Sequence, residues 1–167
     1  MTDEVDVAAE RGPFAGKEGQ LDAPFRPTPM ALVARMLALA GVGPGDRLID
    51  LGCGDGRIVI AAAQRGAFAH GIDIDRARIE EAEAAARAAG VGDRVSFAQG
   101  DLFAAELGEY DVATLFLLPV VNRWLEGKLQ GELKEGARVV GHDFPMPNWV
   151  PVAQEEHERR AIYLWVR

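Results

Sequence analysis

Three aspartates, Asp50, Asp73 and Asp101, sit at or just past the ends of short apolar runs, and the first opens a glycine-rich stretch, Asp50-Leu51-Gly52-Cys53-Gly54-Asp55-Gly56. The run Arg47–Leu51 before it reads as a buried strand, and Arg57–Ala63 after it reads as a helix packed on a sheet. Strand, glycine loop and helix form the opening of a nucleotide-binding βαβ unit. Glycine lets such a loop turn tightly and lie against a ligand, where a Cβ would intrude. The N–H groups at the helix start then favour a carboxylate or a phosphate. The dinucleotide fingerprint would need a third glycine at position 57, which is Arg, and no phosphate-binding lysine follows the loop.

The pattern Asp-Leu-Gly-x-Gly-x-Gly looks like motif I of the seven-strand, class I S-adenosylmethionine (SAM) methyltransferases. SAM has no phosphate. Its methionine carboxylate suits the helix start, and its ammonium and sulfonium suit an acid such as Asp50. Asp73 ends the strand-like Phe68–Asp73, 23 residues after Asp50. That is near the offset at which an acid accepts from ribose hydroxyls. Asp75 suits the N-cap of the next helix, which leaves Asp73 for ribose; the alternative is a solvated strand end. Asp101 closes a third strand through Gln99-Gly100-Asp101-Leu102-Phe103. The resemblance places an acid there near the adenine amino group, a role compatible with capping a short helix.

The resemblance sharpens over residues 24–167. Arg26-Pro27-Thr28-Pro29, the Asp55-Gly56-Arg57 form of the loop, and Phe144-Pro145-Met146-Pro147-Asn148-Trp149-Val150-Pro151 are similar to a small class I branch. That branch includes archaeal protein lysine methyltransferases and the mitochondrial ATP synthase c-subunit lysine methyltransferase. It implies that Pro27 and Thr28 lie near the cofactor. The expected cofactor contacts are then Pro27, Thr28, Asp50, Gly52, Cys53, Gly54, Gly56, Arg57, Asp73, Ile74, Asp101, Leu102, Phe116 and Leu117. The expected cofactor is S-adenosyl-L-methionine, with S-adenosyl-L-homocysteine as product. The membrane-anchoring segment of the mitochondrial enzyme is not expected here, so that enzyme's localisation and substrate do not carry over.

Methyl transfer from a sulfonium mainly needs alignment and a neutral nucleophile. Acceptor-side candidates lie past the fourth and fifth strands: Leu117, Leu118, Asn122, His142, Asp143 and Trp149. His142 and Asp143 form an adjacent titratable pair, and Asp143, His142 and Asn122 are the candidate catalytic residues. The alternative is that His142 points into a helix layer while Asp143 caps a turn, because strand neighbours face opposite ways. Trp149 suits either an aromatic wall for a lysine stem or plain core. Phe116-Leu117-Leu118-Pro119 lacks the Asp/Asn-Pro-Pro-aromatic motif of base-amine methyltransferases, and the single cysteine lies in the cofactor loop. The resemblance makes a protein lysine acceptor the leading expectation. A small-molecule N- or O-methyltransferase and a SAM-binding module without turnover are the alternatives.

The positioning elements follow from periodicity. Thr28-Pro29 reads as N-cap and first residue of a helix with Met30, Val33, Leu37 and Ala40 on its apolar face. Asp75–Ala89 is a helix with Ile79 and alanines as a thin apolar stripe, and Glu80, Glu81 and Glu83 as its solvated face. Tyr110–Leu117 is a continuous apolar strand, as a doubly covered parallel strand should be. A helix follows Pro119 to about Lys134, with Trp124, Leu125, Leu129 and Leu133 facing the core. Ala137–Phe144 is a fifth strand, and Trp149–His157 with Ala161–Arg167 form a terminal hairpin. The fold class is α/β: a Rossmann-like three-layer sandwich, with a mostly parallel seven-strand sheet and a C-terminal antiparallel hairpin. Residues 1–27 read as a partly mobile arm and 28–167 as one domain.

At 167 residues and 49% hydrophobic composition the chain suits one globular domain. A net charge of −8 disfavours nucleic acid, which needs clustered Lys and Arg, and suits a basic protein partner. The single cysteine excludes an internal disulfide. The three histidines have no metal-ligand spacing, so no metal is expected. No secretory segment opens the chain and no run reaches membrane-spanning length, so a cytoplasmic monomer or weak dimer, without membrane contact, is expected.

Overall fold

The computed structural model describes residues 26–167. The elements in chain order are α1 (Met30–Leu39), β1 (Arg47–Leu51), α2 (Arg57–Gln64), β2 (Phe68–Asp73), α3 (Arg76–Ala88), β3 (Val95–Gln99), a 3₁₀ turn (Leu102–Ala104), β4 (Val112–Leu115), α4 (Pro119–Glu132), β5 (Arg138–His142), β6 (Ala153–His157) and β7 (Arg160–Val166). The strands form one sheet in the order β3-β2-β1-β4-β5-β7-β6. The β1–β5 pairings are parallel, and β7 is antiparallel to both β5 and β6. The expected architecture is therefore present, including the closing hairpin. Its two-residue turn, Glu158-Arg159, has φ of 48° and 67°. Two positive φ values match the twist that a tight hairpin needs.

Strand alternation sends successive side chains to two helix layers. Leu48, Val112, Val140 and Ile162 pack with α1 and α2 through Val33, Leu37, Val59 and Ala62. Ile49, Leu51, Ala113, Leu115 and Val139 pack on the other face with Leu125, Leu129 and the fully buried Trp165. This alternation fixes which polar groups can meet. Asp50 shares the Leu48 face, Thr114 the Val112 face and His142 the Val140 face, so all three point toward the α1–α2 layer.

Several boundaries differ from the sequence reading. Thr28 is not the N-cap of α1; Pro29 holds that position without a side-chain bond, because the Thr28 hydroxyl is taken by His142. Met30 is exposed, and the buried stripe is Leu32, Val33, Met36 and Leu37. Strand β4 stops at Leu115, so Phe116–Leu118 are loop residues at its carboxyl end. Trp124 is half-buried, and the buried positions of α4 include Asn122 and Glu126 instead. Asp143 lies outside β5, at φ 66°. The N-terminal arm, residues 1–27, falls almost wholly outside the described residues. Asp75 caps α3 as expected, accepting from Ala77 N at 2.9 Å.

Gly56 has a packing role that its motif position hides. It caps α2 at φ 80°, and a Cβ there would lie 2.7 Å from Ala82 Cβ and 3.1 Å from the Phe97 ring. The absent side chain lets α2 and α3 approach over β3. Gly56→Ala combines a left-handed backbone with overpacking. It should lower unfolding free energy by about 2 kcal/mol or more, read as a lower urea midpoint at unchanged slope; an unchanged midpoint would contradict this packing account.

Candidate active site

In open α/β sheets ligands bind at the carboxyl ends of the strands where the sheet order reverses, which here falls between β1 and β4. A cleft of about 720 Å³ opens there. Its floor is the glycine loop, held flat against the end of β2. The Ile72 carbonyl accepts from Gly52 N and Cys53 N, both at 2.9 Å. Asp73 Oδ2 accepts from Gly54 N at 2.9 Å, and Asp73 Oδ1 accepts from Asp75 N at 2.9 Å. Gly52 and Gly54 sit at φ 82° and 53°. Gly71, in β2, is a glycine the sequence reading passed over. A Cβ on it would lie 2.7 Å from Cys53 Sγ and 2.8 Å from the Phe97 ring, so the loop can approach β2 only here.

Every expected cofactor contact except Gly56 lines this cleft, including Pro27, Thr28, Ile74, Asp101, Leu102, Phe116 and Leu117. Each Asp73 oxygen already accepts one backbone N–H, which leaves one lone pair on each for a ligand hydroxyl. Asp101 caps the 3₁₀ turn through Phe103 N at 2.9 Å, and its side chain still borders the cleft. The cap bond therefore does not take Asp101 out of the cleft. Arg57 grips Asp55 with three contacts of 2.6–3.2 Å, and its Nη1 donates to the Thr28 carbonyl at 3.1 Å.

Asp50 is 3% exposed and accepts from Thr114 Oγ1 at 2.8 Å. Thr114 is its register partner across β1 and β4. Burial raises the Asp50 carboxyl to about 7; the Thr114 bond opposes this, and the charges of Asp73 and Asp55 reinforce it. Such a group is poised to ionise beside a cation. Cys53 shares the environment, and burial followed by the Asp50 charge pushes its thiol far above the neutral range. It stays a protonated thiol, unsuited to nucleophilic attack.

The acceptor-side candidates separate. Asp143 lines the cleft, 3.2 Å from His142 Nδ1 and 3.9 Å from Arg160 Nη1. His142 does not line it; the ring is 1% exposed and stacks on Phe116 with centroids 4.0 Å apart. Burial lowers its basicity, while the neighbouring Asp143 charge works in the opposite direction. The helix-layer alternative for His142 is the one realised. Asn122 is fully buried, donates to the Phe144 carbonyl at 3.1 Å and does not reach the cleft. Trp149 packs beside Trp165, with centroids 6.3 Å apart, and accepts from its Nε1 through the backbone carbonyl; it is half-buried against the core and does not line the cleft. Phe144, Leu118, Val121 and Arg160 also border the cleft. Thr114, a lone hydroxyl in an apolar strand, carried a readable signal, whereas Arg160 arrives from the hairpin and had none. Among the described residues, no group of His, Cys, Asp and Glu is arranged to hold a metal ion.

The Asp50 shift has a measurable consequence for folding. Its folded value, about 7, lies above the unfolded value near 3.8, so the native state holds a proton that the unfolded chain has released between those limits. The group's contribution to stability is therefore complete below pH 4 and is lost as pH rises through about 7. Asp50→Asn, which does not titrate, should gain stability relative to the wild type across that window, by up to about 4 kcal/mol. Urea unfolding of both proteins at pH 5 and 8 checks this; a difference independent of pH would contradict the buried-carboxylate account.

Residues 50–153 match the family model described as the ANTKMT methyltransferase domain. A protein-lysine N-methyltransferase of Saccharolobus islandicus (strain REY15A) is 42% identical over 149 residues, covering 86% of this chain and 92% of that protein. The adenine nucleotide translocase lysine N-methyltransferase of Mus musculus is 39% identical over 135 residues, covering 80% of this chain but 58% of that protein. Among solved structures, one described as an RNA methyltransferase from Salinibacter ruber in complex with S-adenosyl-L-homocysteine is 47% identical with a TM-score of 0.83, covering 84% of this chain and 93% of that one. With the family model matched over more than half of its residues and a relative 42% identical over most of both proteins, the chain belongs to the ANTKMT methyltransferase domain family.

Proposed function

We propose that this chain transfers the methyl group of S-adenosylmethionine to the Nε amine of a protein lysine. The observation that carries the reading is the distribution of charge in one cleft. A buried carboxylate, Asp50, has a hydroxyl and, among the described residues, no cation as partner; Asp143 lines the same cleft together with the apolar Leu118, Val121 and Phe144, with Arg160 Nη1 3.9 Å from its carboxylate. The first suits the ammonium of a bound SAM. The second suits an aliphatic amine that must be stripped of water. The names of the archaeal and mouse relatives support lysine as acceptor.

SAM fits the donor set. Asp50 offers a counter-charge, Asp73 and Asp101 offer acceptors for hydroxyl and amino groups, and Gly52 and Gly54 line the cleft with backbone; a Cβ on Gly52 would stand 3.1 Å from Leu117. When bound, SAM supplies a methyl group already activated by its sulfonium. The chain's own task is alignment and deprotonation. A lysine amine has a solution pKa of about 10.4, so roughly one in a few thousand is neutral at pH 7. Leu118, Val121 and Phe144 disfavour the ammonium by desolvation. The Asp143 carboxylate orients the amine end, and the amine's proton passes to water as the lysine enters the cleft.

The division into an arm over 1–27 and one domain over 28–167 belongs to the same proposal, as does a cytoplasmic monomer or weak dimer acting on a protein partner. No helix among the described residues is long and apolar enough to cross a membrane. A second reading, RNA methylation, is favoured by the description of the Salinibacter ruber structure. Weighing against it are the net charge of −8 and the lack of an activated thiol for pyrimidine C5 chemistry.

Asp143 occupies a left-handed conformation that Asn also tolerates, and the Asn amide keeps an oxygen able to face His142 Nδ1, so Asp143→Asn removes the charge while the His142 tautomer can be retained. With tritiated SAM and a cell protein extract treated or untreated with ribonuclease, label should enter a ribonuclease-resistant band and map to lysine. The variant should transfer at least about tenfold more slowly, with SAM affinity changed less than twofold. Label confined to RNA would overturn the lysine reading, and unchanged turnover would remove Asp143 from the mechanism.

A further inference from the structure

Thr28 is tied on two sides. Its carbonyl accepts from Arg57, which Asp55 of the glycine loop holds in place. Its hydroxyl lies 2.9 Å from His142 Nε2, at the end of β5 on the acceptor side of the cleft, in a bond that is buried and joins residues 114 positions apart. The imidazole itself has little freedom, because it is stacked on Phe116 and almost fully enclosed. The Asp143 carboxylate beside Nδ1 favours the proton on that nitrogen, although the contact is too poorly aligned to count as a hydrogen bond. Nε2 then accepts from the Thr28 hydroxyl.

We infer that His142 is a positioning residue for the cofactor, acting through Thr28. The ring does not touch the cleft, so neither proton transfer to an acceptor nor contact with SAM falls to it. It fixes the segment Arg26–Pro29 as a wall of the cofactor half, and it does so from the strand whose end carries Asp143. One buried ring thereby sets the distance between the cofactor wall and the acceptor carboxylate. A hydroxyl left without this partner would return Thr28 to the N-cap position that its sequence context favours, and the wall would move away from the cleft.

The inference rests on SAM as the cofactor, and its test separates the two. Calorimetric titration of SAM is carried out on the wild type, Thr28→Val, His142→Asn, His142→Gln and the Thr28→Val/His142→Asn double variant. Asn places an amide near the Nδ1 position only, whereas Gln reaches that of Nε2. Thr28→Val and His142→Asn should each weaken SAM about fivefold. The double variant should bind within twofold of either single variant, since both remove the same bond. His142→Gln should restore affinity to within twofold of wild type, which a purely structural defect would not allow. Wild-type affinity in Thr28→Val, or losses that multiply in the double variant, would overturn the positioning role while leaving the cofactor assignment intact. Absence of SAM binding by the wild type would instead overturn the cofactor assignment and this inference with it.

Discussion

Asp50 keeps a carboxylate at 3% exposure with one hydroxyl among the described residues, that of Thr114, to satisfy it. A buried anion normally has an arginine, a lysine or several N–H groups, and its cost is high without them. Here the sheet enforces the arrangement. Asp50 and Thr114 are register partners on adjacent parallel strands, on the face that α1 and α2 cover. Neither side chain can turn to water without breaking the strand order at its switch point. The protein therefore carries a group that is half-protonated near neutrality until a cation arrives, and the cleft is built outward from it.

The glycine loop is shaped by the same economy of space. Three backbone N–H groups of the loop are spent on the end of β2, on the Ile72 carbonyl and the Asp73 carboxylate. That leaves the loop rigid rather than adaptable. The missing Cβ atoms of Gly71 and Gly56 allow the close packing that this requires. Motif glycines thus divide into two kinds: Gly52 and Gly54 face the ligand space, whereas Gly56 serves the contact between two helices.

Sequence made the cofactor half legible because its signals are local. Strand, loop and helix follow one another, and the acids at 73 and 101 close strands whose apolar runs are visible. The acceptor half depends on pairings between distant segments. His142 and Asn122 looked exposed to the cleft because their elements end near it, yet alternation in β5 and the buried face of α4 turn both inward. Thr28 looked like a helix cap because its composition fits one; a bond to a residue 114 positions away displaced it. Arg160 enters the site only because the hairpin folds back beside β5. None of these pairings has a sequence period to reveal it.

As counter-ion to a cationic cofactor, Asp50 must ionise when that cofactor binds. The direct test is calorimetric titration of SAM into the wild-type protein at pH 6 and pH 8, in buffers of different ionisation enthalpy. A carboxyl near 7 in the free protein should lose its proton when the cation binds. Micromolar binding should then release close to one proton at pH 6 and almost none at pH 8, with affinity rising by up to about tenfold per pH unit below 7. Binding without proton release at either pH would contradict the counter-ion role, and no binding at all would contradict the assignment of the cleft to SAM.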